Sequence, residues 1–324
     1  MRVDSEFEQF LCSDEPIEFL QEQALTARSF TEIPAVSSLC ERSQLLFDKG
    51  EIHGIDELIS SFLDDDLSFL KDYIKAHLDR AASDSRVLPP FREAIEPETA
   101  LFYNVTMART QTIGITISCV SEADLARTQA NSSKQRVQFS GQKIFYKFLA
   151  ATDLVLRLWE CDPFDDSSDM NLLQCREARE LVVRPGDVIE IDGTRHSLSF
   201  LSCSGRALFA QIENCAADVG SSLVFDSGSG GFVAARPTDR TALRKMVMCS
   251  ALRRLDADGQ LADLPESARA GPFYQRWHFV RETVAAVPQL RASLLNATLR
   301  SDPNPSVKRA AQATLDFLAQ RGQA

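Results

Sequence analysis

At residues 112–119 the chain reads TIGITISC, in which apolar residues alternate with small polar ones. A period of two is that of a β-strand with one buried and one polar face. Similar patterns recur, separated by connections rich in Gly, Asp and Asn, at 143–149, 153–160, 187–192, 196–202, 207–213, 222–226 and 231–235. About eight short strands without intervening helices predict an antiparallel sandwich or barrel.

Helical periodicity flanks these strands on both sides. Apolar residues recur every three or four positions through 55–80, and Pro34 predicts the start of an earlier helix that stops at Gly50. After Thr241 the helical period returns, and further helices are predicted over 273–287 and from 303 to about 319. The stripe predicted to line one face of the first of these helices is Leu243, Met246, Val247, Leu252 and Leu255.

The predicted fold class is therefore α+β, in three parts. Residues 1–95 form an N-terminal helical region, residues 96–238 an antiparallel β-barrel or sandwich, and residues 239–324 a C-terminal helical segment.

Composition argues for an ordinary globular protein, with 44% hydrophobic and 25% charged residues. No apolar run approaches the roughly 18 residues that span a bilayer. The N-terminus turns acidic at Asp4 and lacks the apolar core of a signal peptide. We therefore expect a cytoplasmic protein.

Its eight cysteines include no C-x-x-C spacing, so we expect reduced, mostly buried thiols.

Charge is distributed unevenly along the chain. Residues 1–100 carry 9 basic and 22 acidic side chains, whereas residues 236–324 carry 14 basic and 8 acidic ones. The two ends could attract each other, within one molecule or between two copies, or each set could be a solvated face. The basic C-terminal helices could also contact nucleic acid, but a net charge of −11 argues against that function.

Residues 184–196 read RPGDVIEIDGTRH. This passage resembles the second half-motif of the cupin family, in which a Gly turn, a short strand and a second turn precede a His that points into the barrel. The interval from Gly186 to His196 is one residue short, and the usual Pro of the second turn is missing. The resemblance implies a cupin-like β-barrel with His196 inside.

The metal cage that the cupin resemblance implies is incomplete. It would need two His and one Glu from an earlier strand, and residues 101–180 contain no His. His196 could combine only with Glu190, Asp192 or Cys203, and a first-row metal requires three or four ligands in fixed geometry. We therefore expect no metal, no cofactor and no catalytic residues.

A barrel of about eight strands can enclose a small ligand. His196 shares strand parity with Leu198 and Phe200, which predicts that it faces the interior, either as a ligand contact or as a structural residue. Trp159 and Arg157 alternate with the leucines of their strand, so they could instead face solvent or a neighbouring domain. The candidate ligand-binding residues are His196, Trp159, Arg157 and Tyr146.

Residues 302–311 read DPNPSVKRAA and are similar to a HEAT-type repeat helix. In that reading Asp302 caps the helix, Pro303 occupies its first turn, and Ala311 permits close approach of a neighbouring helix. The resemblance implies C-terminal helices that present a docking surface.

Residues 273–279 read FYQRWHF, a composition enriched at protein interfaces. The alternative is that these side chains pack against the barrel. The candidate partner-binding residues are Tyr274, Arg276, Trp277 and Arg281.

The function predicted from sequence is non-enzymatic. The barrel of an accessory or regulatory protein would bind a small ligand or peptide, and its helices would dock a partner protein or a second copy. One alternative is a divergent metal-dependent enzyme of the cupin type, an oxygenase or isomerase that uses His196. The other is nucleic-acid binding by the C-terminal helices.

Overall fold

The computed structural model describes residues 30–65, 67–83, 103–131, 136–217, 219–255 and 271–321. Within these ranges the chain forms eight α-helices and three antiparallel sheets. The helices are α1 (Pro34–Asp48), α2 (Ile52–Asp64), α3 (Ser68–Ser83), α4 (Glu122–Asn131), α5 (Arg240–Arg254), α6 (Phe273–Ala286), α7 (Arg291–Ser301) and α8 (Pro305–Gln320). The strands are β1 (Tyr103–Arg109), β2 (Ile113–Ser121), β3 (Arg136–Phe139), β4 (Lys143–Ala150), β5 (Leu154–Cys161), β6 (Cys175–Val183), β7 (Val188–Asp192), β8 (His196–Ser202), β9 (Arg206–Asn214), β10 (Ser221–Asp226) and β11 (Phe232–Pro237).

The predicted α+β class, with helices at both ends and antiparallel strands between them, is confirmed. One sheet has five strands in the order β1-β2-β9-β4-β7, and the other two have the orders β11-β10-β3 and β6-β5-β8. The two smaller sheets adjoin where β3 meets β8. There the Ser197 hydroxyl donates to the Gln138 carbonyl at 2.6 Å. The boundary predicted at 95/96 lies outside the described residues.

The N-terminal helices cover one face of the five-stranded sheet. Ile113, Ile115 and Ile117 of β2 are buried there together with Ile55 and Leu58 of α2. The alternation read from the sequence therefore places the isoleucines of β2 under a helical layer, since successive strand residues point to opposite faces.

Three polar contacts, made by Ser43 and Asp56, fix these helices on the sheet. Ser43 and Thr112 share a buried hydroxyl–hydroxyl hydrogen bond of 2.8 Å. The Asp56 carboxylate accepts from Lys143 at 3.1 Å and from the Asn214 amide at 2.8 Å. Because buried polar groups are costly when left unpaired, these contacts select one docking position for the helices.

The other face of the five-stranded sheet meets the β6-β5-β8 sheet. Phe148 of β4 and Phe209 of β9 are buried against Leu154 and Leu156 of β5 in a core between the sheets. A separate core, on the opposite face of β5, contains Trp159 and is covered by the connection between β5 and β6.

The strand region differs from the prediction in two respects. Helix α4 lies between β2 and β3, so the prediction of strands without intervening helices was wrong. Strands β1, β3 and β6 were not predicted, and β6 shows why. It is an edge strand whose residues from Arg176 to Glu180 are all exposed, so no buried face imposes an apolar alternation on it.

The last helix does not begin where the sequence predicted. Asn304 is its N-cap, with its side-chain oxygen accepting from the amides of Ser306 and Val307, and Pro305 occupies the first turn. Asp302 is instead held by Arg276 in a two-bond ion pair, with both bonds at 2.9 Å. The prediction of Asp302 as cap and Pro303 as first-turn residue was therefore wrong by two positions. The HEAT-like character of these helices stays a prediction.

The C-terminal helices dock on the β5–β6 connection, residues 162–174, which we call the docking loop. Asp166 accepts from the Arg276 guanidinium and from the Phe273 amide. The Asn304 side chain donates to the carbonyls of Asp166 at 2.8 Å and Ser168 at 3.2 Å. The Asp166 side chain therefore holds α6, and the loop carbonyls hold the start of α8 through Asn304.

Ion pairs join each helical segment to the strand region rather than to the other helical segment. Lys143 pairs with Asp56 of α2, and Arg309 of α8 pairs with Asp169 of the docking loop. Within the described ranges no ion pair joins residues 30–83 to residues 240–321.

Helix α5 turns an apolar stripe to the outside. Its buried residues include Ala242 and Cys249, whereas Leu243, Val247 and Leu255 are exposed. Of the residues predicted to line one face, these three are exposed, whereas Leu252 packs against Cys249 and Phe279. No helix in the described part of the chain combines the length and apolarity needed to cross a bilayer.

Candidate functional site

Three rows of side chains cross the inner face of the five-stranded sheet, on the side that meets the β6-β5-β8 sheet. Strand register sets each row, since residues paired across an antiparallel sheet point to the same side. One row contains Arg109, Gly114, Glu213 and Ile144, the next Thr106, Thr116, Gln211 and Tyr146, and the third Asn104, Ser118, Phe209 and Phe148. We call Thr116, Ser118, Tyr146, Gln211 and Glu213 the polar inner face.

Glu213 is neutralised at one edge of the polar inner face. Arg109 Nη1 donates to Glu213 Oε2 at 3.1 Å, and Gln211 Nε2 donates to Oε1 at 2.8 Å. Gly114 lies between Arg109 and Glu213 in the row, and a Cβ placed on this glycine would come within 3.0 Å of Glu213 Oε2. The glycine therefore leaves room for the carboxylate beside β2.

Tyr146 forms the centre of the polar inner face. Its ring lies 6.5 Å from that of Phe148 and 5.9 Å from that of Phe209. Burial, followed by the nearby Glu213 carboxylate, raises the pKa of the phenol, so it stays protonated at neutral pH. The phenol makes no hydrogen bond to any residue that the structure describes, which leaves its donor and acceptor capacity open.

Ser118 carries a buried hydroxyl with an unmet hydrogen bond. The residue is 1% exposed, and its Oγ has no partner among the described residues. A buried donor or acceptor that stays unpaired costs about 1–3 kcal/mol. Such a group indicates a place where a small molecule or water completes the bonding.

His196 lies at the end of the same interior. It is half-buried, shares its strand face with Leu198 and Phe200, and stands opposite Glu160 of β5. Glu160 is paired with Arg176 at 2.7 Å. The ring of His196 makes no hydrogen bond to any described residue, so the structure does not assign it a fixed structural partner.

Trp159 and Arg157 lie on the opposite face of β5 from this interior. The Trp159 indole donates to Ser199 Oγ at 2.8 Å and is packed in the core under the docking loop. Arg157 pairs with Glu177 at 2.7 Å and Glu180 at 3.1 Å. The structure therefore separates the four candidate ligand residues, with Tyr146 and His196 inside and these two outside.

The polar inner face contains residues that the sequence analysis did not single out, chiefly Ser118, Gln211 and Glu213. A signal existed, because the polar positions of 112–119 share one parity. Whether these polar residues would form a site depended on which face of the sheet would be covered. The sequence of a single strand does not show that.

No group of three or more His, Cys, Asp or Glu side chains in the described ranges is arranged to hold a metal ion. His196 and Glu160 are therefore not joined by a further described ligand of these types.

The candidate partner residues of α6 divide in a similar way. The Tyr274 hydroxyl donates to the Gly220 carbonyl at 2.6 Å, and Arg276 is held by Asp302 and Asp166, so these two dock the helix on the strand region. Trp277 and Arg281 line an open cavity of about 220 Å³ between α6, α7 and α8. Its other lining residues are Val284, Ala285, Arg291, Leu295, Thr314 and Leu318.

No family model matches this chain, and no curated protein is similar to it in sequence. Among solved structures, it resembles the EutQ protein of Clostridium difficile at 12% identity, covering 36% of this chain and 68% of that one with a TM-score of 0.22. A putative mannose-6-phosphate isomerase from Ralstonia eutropha shows 11% identity, coverage of 36% and 87%, and a TM-score of 0.22. A cupin superfamily protein from Desulfitobacterium hafniense shows 15% identity, coverage of 37% and 83%, and a TM-score of 0.21. The cupin-like resemblance is thus weak and partial, and it does not place the chain in a family.

Proposed function

We propose that this chain is a non-enzymatic accessory protein whose sheet interior binds a small, uncharged molecule bearing hydroxyl or amide groups. The observation that carries the proposal is the buried Ser118 hydroxyl, which lacks a partner among the described residues. The uncommitted phenol of Tyr146 lies on the same sheet face, in the next row and two strands away across β9. Binding sites place a few polar groups of this kind in mostly apolar surroundings.

The chemistry of the polar inner face favours a neutral ligand. Glu213 is already balanced by Arg109, and the raised pKa of Tyr146 keeps its phenol uncharged. The groups that remain open are therefore neutral donors and acceptors, set against the rings of Phe148 and Phe209. A charged ligand would lose its hydration without gaining a counter-charge.

Replacing Ser118 by Ala is expected to raise the free energy of unfolding of the ligand-free protein by about 1 kcal/mol, because the unpaired hydroxyl is removed. The same change is expected to abolish the saturable rise in Tm that low concentrations of neutral sugars, polyols or primary amides cause in the wild-type protein, since a ligand that binds only the native state stabilises it. The general stabilisation by concentrated sugars and polyols, which are excluded from the protein surface, should be unchanged. Chemical denaturation and thermal melts with each compound measure the two effects.

Ser43→Ala is the matched control, because Ser43 is equally buried but its hydroxyl is bonded to Thr112 and to the Cys40 carbonyl. It should lose about 1 kcal/mol of stability and keep the response to the compounds. The proposal fails if Ser118→Ala destabilises the protein as Ser43→Ala does, or if no compound shifts the wild-type Tm.

We also propose that the C-terminal helices dock a second copy of this chain. Support comes from the outward apolar stripe of α5, where Val247 is 63% and Met248 67% exposed. Apolar residues at an interface gain free energy when water is removed from them. The opposite charges of residues 1–100 and 236–324 suit a contact between two copies.

Sedimentation equilibrium of the full chain is expected to show a dimer that Val247→Lys weakens about tenfold or more, a loss of about 1.4 kcal/mol. High salt should weaken the wild-type dimer as well, since part of the attraction is between exposed charges. Val182→Lys is the control, because Val182 is 73% exposed on β6 and lies outside the C-terminal helices. A monomer at every concentration, or equal effects of the two substitutions, would refute the dimer.

A further inference from the structure

Cys161 and Cys175 are direct partners across β5 and β6. The Cys161 amide donates to the Arg195 carbonyl and the Cys175 amide to the Gly230 carbonyl, so neither bonds to the other strand of the pair. This is the pattern of a non-hydrogen-bonded antiparallel pair, in which the Cα atoms are about 4.5 Å apart and the side chains come closest. A disulfide requires Cα atoms roughly 4.4–6.8 Å apart.

The two thiols also share one environment. Both are buried in the core beneath the docking loop, with Trp159, Phe164 and Met170. Both are free thiols here. Burial raises the pKa of Cys161 to about 12 and that of Cys175 to about 11, and the neighbouring Cys175 contributes to the rise at Cys161. The side chains are therefore close to each other and point the same way.

We infer that Cys161 and Cys175 are a disulfide site that closes when the chain folds in the presence of an oxidant. The co-reactant is a low-molecular-weight disulfide such as oxidised glutathione. A thiolate of one cysteine attacks it, one thiol leaves, and the second cysteine then displaces the other thiol. One sulfur–sulfur bond forms and one breaks, both protons go to the two released thiols, and no further reagent is needed.

The raised pKa values of the two buried thiols indicate that the bond forms during folding rather than in the folded protein. In the folded protein both groups are protonated and buried, so attack on a disulfide reagent is slow. In the unfolded chain both are exposed and partly ionised, and pairing of β5 with β6 then brings them together. Whether the folded protein contains the bond therefore depends on the redox conditions during folding.

The disulfide would act on the docking loop. It would close a loop of about 15 residues that carries Asp166 and Asp169, the partners of Arg276 and Arg309. Constraining this segment in the unfolded chain favours the state in which the C-terminal helices have a surface to dock on. This inference is independent of ligand binding at the polar inner face.

The test is refolding of the reduced full-length protein in a glutathione redox buffer or in reductant, followed by alkylation and peptide mapping. In the redox buffer we expect a single linked peptide joining Cys161 to Cys175, lighter by two hydrogen atoms than the free pair, and a Tm higher by about 4 °C. The native protein treated with oxidised glutathione should form the same link many times more slowly.

Cys161→Ala should abolish both the link and the rise in Tm. Cys249→Ala should keep both, because Cys249 is buried in a different cluster. If either protein does not refold, slow oxidation of the native chain in mild denaturant gives the same map. Alkylation of both cysteines in the redox buffer, or an equal rise in Tm for Cys161→Ala, would overturn the inference.

Discussion

Replacing Arg276 by Ala is expected to lower the free energy of unfolding by about 3–5 kcal/mol, because it leaves the Asp302 carboxylate buried without its counter-charge. Asp302 receives two bonds from this guanidinium, and its side chain is only 7% exposed. The same guanidinium donates to Asp166 of the docking loop and to the Gly271 carbonyl. One substitution thus removes contacts of α6 both to the turn before α8 and to the docking loop. Urea denaturation monitored by circular dichroism measures the loss.

Arg309→Ala is the control for this prediction. Arg309 also forms a two-bond pair with a docking-loop carboxylate, that of Asp169, but its side chain is 47% exposed. Exposed ion pairs contribute about 0–1 kcal/mol, since water and salt screen them. Equal losses for the two arginines would show that burial does not set the strength of the docking contact.

Replacing Phe209 by Ala is expected to cost about 3–5 kcal/mol through lost apolar burial and the cavity that remains. The ring of Phe209 is buried between the two sheets, with the rings of Phe148 and Phe200 at 5.5 Å and 5.4 Å. No neighbour can fill the gap without leaving its own contacts. Guanidinium denaturation provides the free energy.

Phe317→Ala is the matched aromatic control. Phe317 is 50% exposed on α8, where its ring lies 4.4 Å from the Arg321 guanidinium. The loss should be within about 0.5 kcal/mol, as for most exposed positions. A loss for Phe209→Ala as small as this would mean that the core between the sheets is not closely packed.

Strand β2 shows what periodicity predicts reliably. The alternation at 112–119 predicted a strand with one buried face, and β2 runs from Ile113 to Ser121. Both of its faces are covered, one by helices and one by the second sheet. The alternation therefore separated apolar from polar positions, but it did not show that Ser118 would be buried as well.

The start of α8 shows a choice that local sequence leaves open. Asp302-Pro303 and Asn304-Pro305 are two consecutive signals for the same event, since each offers a capping side chain followed by a proline. Arg276 decides between them, because it binds Asp302 and leaves Asn304 to cap the helix. Because that contact joins residues far apart in the chain, no local sequence pattern predicts it.

Helix α5 and Trp159 show that the sequence also left open which apolar residues would be buried, and by what. Periodicity showed that α5 has an apolar stripe, yet the stripe at Val247 is exposed and the covered side carries Cys249. Trp159 was assigned to the face of β5 opposite its leucines, which is where it lies, but the docking loop that buries it was not predicted.

The helices at both ends, the central strand region and the two-sided character of strands such as β2 followed from residue order alone, because backbone geometry turns the spacing of side chains directly into faces. Helix α4 and strands β1, β3 and β6 were not predicted from it. Which face would be covered, which of two caps would be used, and which polar groups would gather at the inner sheet surface were decided only when distant segments packed. Those outcomes depend on burial and charge pairing between residues that no local pattern connects.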